Sequence, residues 1–312
     1  MSHRFRVAML LLLSALFVWG AETVDHPFLG VTSIVRTEVM PRRLTMHIVL
    51  VDLTAHGIRF KLTPPGGSLE TTRQTTLSFL NQEHAQVAIN AHFFTPFPST
   101  NTAANVIGLA ASDGDVYSGF ESPEQSYALV AFAPAINIDR SNHASVVHHD
   151  GHFSDGRHIQ EHVQLWTTIA GSAQIVTNGV KTIPSYRDAQ HPDGLLLEGG
   201  PSHFSNRDSW YDRLQAHTAI GLTQDEKTLV LFTVDRAAGS QGMKLGEVAD
   251  LLIEGYKVYN ALNLDGGGST SIAMENPVTH KGALFNTSSD NGNGRPVGNN
   301  LALFAEPVSP AQ

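Results

Sequence analysis

The chain has 312 residues, a formal net charge of −9 at pH 7 and no cysteine. This net negative charge argues against non-specific binding to negatively charged partners, such as nucleic acid and anionic membranes. The absence of cysteine excludes disulfide-stapled modules, cysteine nucleophiles, zinc fingers and iron–sulfur sites. A chain of this length can instead hold itself together by burying a large core.

The first 20 residues predict a secretory signal peptide. A basic start with Arg4 and Arg6 leads into an apolar run over residues 7–19, and the small residues Gly20 and Ala21 follow. This order is typical of a bacterial export signal that is cleaved after about Gly20. The apolar run is shorter than the roughly 20 residues that span a bilayer. We therefore expect an exported protein, periplasmic or secreted, with no membrane insertion once the signal is removed.

The first half of the chain is predicted to form mainly strands, because apolar and β-branched residues cluster in short stretches at residues 34–38, 44–53, 86–90, 103–111 and 126–132. A helix is predicted over residues 75–81, where Leu77 and Leu80 share one face and Thr75 or Thr76 supplies the cap. Residues 137–162 have weak periodicity and carry six histidines. These histidines lack the facing arrangement of metal ligands, so an exposed loop is the preferred interpretation.

The second half predicts further strands, at residues 166–176, 195–201, 218–222, 228–234, 261–264 and 301–305, while residues 271–274 continue as apolar structure of no assigned type. Its one helix is predicted over residues 245–256, and a polar loop covers residues 286–294. Because strands dominate, the sequence predicts an α+β fold of mixed or antiparallel sheets with few helices. No break in composition divides residues 21–312, which we expect to form a single catalytic domain.

The most informative segment places an acid at the end of a predicted strand. Asp265 is followed by three glycines and two hydroxyl residues, namely Gly266, Gly267, Gly268, Ser269 and Thr270. Glycines let the backbone approach a ligand, and successive amides can hold an anion. The segment matches neither a Walker loop nor a dinucleotide fingerprint. It favours phosphate or sugar recognition, while a bulge or tight hairpin that needs glycine is the alternative.

Two further segments carry polar groups at predicted strand ends. Glu198 precedes two glycines and is suited to general acid or base catalysis, with an ordinary turn as the alternative. Asn90, His92 and Phe93 combine an amide, an imidazole and an aromatic ring, which suits the polar and apolar faces of a sugar. The alternative for the last group is a core phenylalanine with an incidental histidine.

Two arginines are candidate phosphate ligands, since a guanidinium binds phosphate oxygens in a bidentate way. Arg236 follows Asp235 at the end of the predicted hairpin, and Arg295 follows the polar loop. Each is also explained as a surface salt-bridge partner. No metal site or other cofactor is predicted, and a divalent metal is left open as the alternative.

The order of these motifs resembles the phosphodiester glycosidase family. The matching segments are residues 90–94, 217–221, 234–236, 263–270 and 295–297. The resemblance spans residues 88–305, and Asn-Leu-Asp-Gly-Gly-Gly-Ser-Thr at residues 263–270 is its most specific part. Two positions depart from the family pattern. Ala91 and His92 replace two glycines, and His217 replaces an arginine, so the family's phosphate clamp is altered.

The resemblance implies a hydrolase that cleaves the glycosidic bond of a sugar-1-phosphodiester. Its catalytic carboxylates would be Asp265 and Glu198. Substrate binding would fall to Asn90, His92, Phe93, His217, Asp235, Arg236, Gly266, Gly267, Gly268, Ser269, Thr270 and Arg295. Two other functions stay open. One is an exopolysaccharide hydrolase or lyase whose substrate holds no phosphate, and the other is a non-catalytic carbohydrate-binding protein.

Overall fold

A computed structural model describes residues 20–120 and 128–308. The predicted signal peptide lies outside the described residues, apart from Gly20. The described residues form 21 β-strands and two α-helices. This confirms the α+β class, and no described helix is long and apolar enough to cross a membrane.

The strands of the first half are β1 (Glu22–Phe28), β2 (Val31–Glu38), β3 (Leu44–Asp52), β4 (Arg59–Leu62), β5 (Thr71–Thr72), β6 (Val87–Asn90), β7 (Phe94–Thr95), β8 (Ala103–Val106), β9 (Ala110–Ser112), β10 (Asp115–Ser118), β11 (Ala135–Ile138) and β12 (Ala144–Val147). Those of the second half are β13 (Thr167–Ala170), β14 (Ala173–Thr177), β15 (Val180–Lys181), β16 (His217–Thr223), β17 (Thr228–Val234), β18 (Val258–Asn263), β19 (Ile272–Glu275), β20 (Gly282–Leu284) and β21 (Asn300–Phe304). Helix α1 is Thr76–Glu83 and helix α2 is Leu245–Tyr256.

The strands form four sheets. The largest has the order β1-β2-β3-β17-β16-β18-β14-β15, and a five-stranded sheet has the order β20-β19-β6-β21-β4. A second five-stranded sheet is β10-β9-β13-β11-β12, and a small one is β5-β8-β7. Every ladder between these strands is antiparallel. The alternative of mixed sheets is therefore not realised among them.

The two faces of the eight-stranded sheet are both buried, which gives the molecule its layers. Alternate residues such as Ile220 and Leu231 face the sheet that contains β6, and together they form the largest apolar cluster. Their neighbours Ala219 and Phe232 point the other way and pack against α2. Helix α1 covers the far side of the β6 sheet. The period of two along each strand thus builds a core on each side.

Both helices match the sequence prediction closely. Thr75 caps α1, since its Oγ1 accepts a hydrogen bond of 3.1 Å from the Ser78 N–H. Helix α2 buries Val248 and Leu252 against the large sheet. Its polar face stays towards solvent, as the 3.6-residue period requires.

Two predicted strands are wrong. Residues 195–201 form no strand, because only Leu196 of its three leucines is buried, and Leu195 and Leu197 are exposed. In residues 126–132, the described part from Ala128 onward consists of turns, with a left-handed φ of 53° at Phe132. In residues 195–201 only single bridges form, between Tyr186 and Leu196 and between Gly199 and Phe204, so apolar composition alone does not produce a ladder.

Candidate active site

Asp265 lies just beyond β18, where the large sheet meets the β6 sheet. Its N–H donates to the carbonyl of Ala91 at 3.0 Å. Its own carbonyl accepts a hydrogen bond from Asn90 Nδ2 at 2.6 Å. Both backbone groups of the acid are therefore held by the end of β6, which fixes the direction in which its side chain leaves the backbone.

Asn90 is a structural bridge. It is fully buried, and its Oδ1 accepts from Thr218 Oγ1 at 2.8 Å and from the Ser271 N–H at 3.0 Å. Together with the bond to Asp265, this amide joins β6, β16 and both ends of the glycine segment. The prediction that Asn90 binds sugar hydroxyls is corrected here, since its side chain is committed inside the protein.

The Asp265 carboxyl group has an unusual electrostatic environment. Burial raises its pKa to about 7, because the charged form loses hydration. The Ser269 hydroxyl, the Arg295 charge and the Gly266 N–H oppose this rise, each by favouring the carboxylate. The group therefore exchanges a proton near neutral pH, which is the range useful for acid–base chemistry.

Arg295 is the cation of this site. Its Nε donates to Asp290 Oδ2 at 2.9 Å, and its Nη1 lies 3.5 Å from Ser269 Oγ. The guanidinium carbon sits 4.7 Å from the centre of the Phe97 ring. About a quarter of the Arg295 side chain is exposed. Arg295 was predicted to bind phosphate, and in the structure Ser269 lies between its guanidinium group and the Asp265 carboxyl group.

Most backbone N–H groups of the glycine segment form hydrogen bonds within the protein and are not free to bind an anion. Residues Gly267–Ser269 form a single 3₁₀ turn, and Gly267 has a positive φ of 61°. The Gly267 N–H donates to the Ala216 carbonyl at 2.8 Å, while the Gly266 N–H is directed at the Asp265 carboxylate. The expected cradle of three free amides is therefore corrected, since two of them are used inside the protein.

The two hydroxyl residues differ in their surroundings. Ser269 links the Asp265 carboxylate with Arg295. Thr270 is buried, and its Oγ1 has no hydrogen-bond partner within the described residues. Ser269 thus joins the Asp265 and Arg295 side chains, whereas no contact of the Thr270 hydroxyl with either is found among the described residues.

Both candidate histidines are interior residues. His92 is fully buried, with Nε2 2.9 Å from the Ala170 N–H, and burial lowers its pKa to about 4. His217 begins β16, is also fully buried, and burial lowers its pKa to about 4. A β-carbon on Gly266 would lie 3.7 Å from His217 Nδ1. Both rings are buried and uncharged near neutral pH, and their direct contact with substrate stays a prediction.

Asp235 anchors the loop that leads to Arg295. It is buried, and its carboxylate accepts from the Asn286 amide at 3.2 Å and the Thr287 N–H at 3.1 Å. His47 Nε2 lies 3.3 Å from the same carboxylate. Its predicted role in binding substrate is corrected to a positioning role. Arg236 is exposed and donates to Gln215 Oε1, and none of its described contacts reaches Asp265 or Arg295.

The predicted second carboxylate is not joined to the first. Glu198 is exposed on the irregular segment, and no contact of the described residues links it to Asp265. Phe93 is half-buried, with its carbonyl bonded to the Ile107 N–H. No group of three or more histidine, aspartate or glutamate residues within the described ranges is arranged to hold a metal. The absence of a cofactor stays a prediction.

Sequence reasoning missed two residues that contact Arg295, namely Phe97 and Asp290. Phe97 is half exposed between two prolines, and Asp290 belongs to the polar loop before Arg295. The signal for Asp290 was its distance of five residues from Arg295. Nothing in the sequence distinguished Phe97 from the other surface phenylalanines, because what sets it apart is its contact with Arg295, which is distant along the chain.

Comparisons with known proteins agree on the fold. The phosphodiester glycosidase family model matches residues 83–304. The zebrafish N-acetylglucosamine-1-phosphodiester alpha-N-acetylglucosaminidase catalytic domain, auto-inhibited by its pro-peptide, is 20% identical with a TM-score of 0.63, over 93% of this chain and 89% of that one.

Two bacterial structures are also similar. A hypothetical protein from Synechocystis is 16% identical with a TM-score of 0.55, over 90% of this chain and 64% of that one. A putative exported protein from Burkholderia pseudomallei is 15% identical with a TM-score of 0.54, over 84% of this chain and 74% of that one. No curated protein matches this chain in sequence.

Proposed function

The chain belongs to the phosphodiester glycosidase family, and we propose that it hydrolyses the glycosidic bond of a sugar-1-phosphodiester. The observation that carries this proposal is the cluster of Asp265, Ser269 and Arg295. It combines a buried carboxyl group whose pKa is raised to about 7 with a guanidinium group that remains partly exposed. A sugar-1-phosphodiester needs both, since positive charge develops on the sugar while negative charge develops on the phosphate.

We assign Arg295 to the phosphate. Its Nε is engaged by Asp290, whereas its Nη groups point towards Ser269 and Gly268. These N–H groups would stabilise the negative charge that accumulates as the phosphate leaves. Because a phosphate monoester is a good leaving group, proton donation to it is less demanding than for an alcohol.

We assign Asp265 to the anomeric carbon. In its ionised form the carboxylate would stabilise the oxocarbenium-like transition state, or activate the attacking water. The hydrogen bonds of its backbone to Ala91 and Asn90 hold it in place before substrate binds. Such preorganisation lowers the cost of reaching the transition state.

The proposal is tested by comparing two variants on a panel of sugar-1-phosphodiesters. Asp265→Asn should lower kcat by roughly a thousandfold, within the range that general acid–base groups contribute. Glu198→Gln should keep near wild-type turnover, because this side chain is exposed and apart from the described cluster. Circular dichroism and melting curves serve as folding controls. Normal turnover by folded Asp265→Asn would refute the assignment, and binding without any turnover by the wild-type protein would favour a carbohydrate-binding role.

We also propose that the protein is exported, on the strength of the signal-like residues 1–20. Expression of the full chain in a bacterial host should give periplasmic protein whose N-terminus starts near Ala21. Retention of residues 1–20 on protein in the cytoplasm would refute this.

A further inference from the structure

Phe97 is a half-exposed aromatic ring beside Arg295, the residue that we assign to the phosphate. Half of its surface is open, although phenylalanine is usually buried. One face carries the Arg295 guanidinium at 4.7 Å, and Phe94 packs edge-on at 5.8 Å. The remaining surface of the ring faces solvent.

The loop that carries Phe97 is fixed independently of the ring itself. Arg73 donates to the carbonyls of Pro96, Ser99 and Ala103. Its guanidinium also lies 4.9 Å above the Phe94 ring. These contacts hold the backbone on both sides of Phe97, and Arg295 and Phe94 pack against its ring, so less ordering is needed when a ligand binds.

The side chains of the site contact one another in succession from Asp265 to Phe97. Asp265 bonds to Ser269, Ser269 faces Arg295, and Arg295 stacks on Phe97. If the anomeric carbon lies at Asp265 and the phosphate at Arg295, then the next group of the substrate lies at Phe97. That group is the one esterified to the other side of the phosphate, the aglycone.

We propose that Phe97 is a specificity residue of the aglycone subsite and selects a phosphate ester whose alcohol part has a flat apolar face. This rests on the proposed function, because that function places the phosphate at Arg295. Aromatic rings bind such faces by stacking, and the cation on the opposite face of Phe97 keeps the ring in position.

Binding of phosphate monoesters tests the proposal without requiring turnover. The probes are inorganic phosphate, methyl phosphate and benzyl phosphate, titrated by calorimetry into wild-type protein, Phe97→Ala and Phe97→Trp. Wild type should bind benzyl phosphate about tenfold more tightly than methyl phosphate, the size of a typical aromatic contact. Phe97→Ala should lose this preference while it retains its affinity for inorganic phosphate, and Phe97→Trp should restore it.

Phe153→Ala is the matched control, since Phe153 is equally exposed but stacks on His158 at 3.8 Å, away from the described cluster. It should leave all three affinities unchanged. Equal binding of benzyl and methyl phosphate by the wild type overturns the proposal. So does a uniform loss of all three affinities in Phe97→Ala, which would mean that the ring only holds Arg295. Failure of the hydrolytic function would appear separately, as absent turnover with the binding preference intact.

Discussion

The guanidinium of Arg295 lies so close to the backbone of Gly268 that a β-carbon on this glycine would come within 2.2 Å of Nη2. The backbone of Gly268 does not take a left-handed φ, so a larger residue here conflicts only with the space that the Arg295 side chain occupies, and this side chain would have to move. The same guanidinium is fixed by Asp290 at Nε. The position of Arg295, which we assign to the phosphate, thus depends on the absence of a side chain at residue 268.

Gly268→Ala should displace Arg295 and lower kcat/KM by about a hundredfold, the effect of a misplacement of about 1 Å in an active site. The affinity for inorganic phosphate should fall with it. Gly246→Ala is the control, because a β-carbon at that helical glycine meets open space. Wild-type kinetics in Gly268→Ala would show that catalysis does not depend on the observed position of the Arg295 guanidinium.

The activity should rise with pH through about 7. We assign the ionised Asp265 to catalysis, and burial raises the pKa of this group to about 7. The pH profile of kcat/KM reports the pKa of the free enzyme. An ascending limb centred near the ordinary aspartate value of about 4 would contradict the raised pKa, and a descending limb near 7 would mean that the protonated acid is the active form.

Asp265 should also destabilise the protein at neutral pH. Its folded pKa of about 7 lies above the unfolded value of 3.8, so the folded state binds this proton more tightly. The associated stability is fully present below pH 4 and is lost as the pH rises to 7, by about 1.4 kcal/mol per pH unit at most.

Asp265→Asn removes this titration while it keeps a similar shape. Urea unfolding of the variant and the wild type should therefore give similar free energies at pH 4, with the variant clearly more stable at pH 8. Parallel free energies at the two pH values would show that the carboxyl group is not buried in the folded protein. The result would be an example of stability that is given up for activity.

The buried histidines change the stability with pH in the opposite direction to Asp265. Burial lowers the pKa of His217 to about 4 from 6.5. The stability from this neutral ring is fully present above pH 6.5 and is lost as the pH falls towards 4, by about 1.4 kcal/mol per unit. His217→Gln should lose less stability between pH 7 and pH 5 than the wild type in urea unfolding. His162→Gln is the control, because this histidine is exposed, and an unchanged slope in His217→Gln would be the contrary result.

Asp235→Asn should destabilise the protein by about 2–3 kcal/mol, because the new amide would face the Asn286 amide and the Thr287 N–H, donors that now meet a carboxylate. The loop that carries Arg295 should loosen as well, which would raise KM more than it lowers kcat. Arg236→Ala, an exposed neighbour, should change stability by less than about 0.5 kcal/mol. Equal stability of the two variants would refute the anchoring role.

Secondary structure was predicted correctly where the apolar pattern of a segment matches the face that it buries. Helix α2 and the hairpin of β16 and β17 were predicted because their apolar periods match the faces that they bury. Residues 195–201 were wrongly predicted as a strand, because strand propensity depends on burial and pairing, and here Leu195 and Leu197 are exposed and only single bridges form.

The site was predictable only in part. The strand end at Asp265 and the arginine at position 295 could be recognised, because their chemistry is written in the residue types. The inward roles of Asn90, His92 and Asp235 could not, since they depend on contacts between distant segments. A polar side chain at a strand end has the same sequence signature whether it meets a ligand or the protein's own backbone.

The Asn90 amide has a consequence for how the protein acquires activity. It touches Thr218, Asp265 and Ser271, which lie 128, 175 and 181 residues away along the chain. Contacts of such long range form slowly, because closing large loops is entropically expensive. We expect refolding molecules to regain helix signal early and turnover last, so that the first catalytic event reports the final closure of the two sheets.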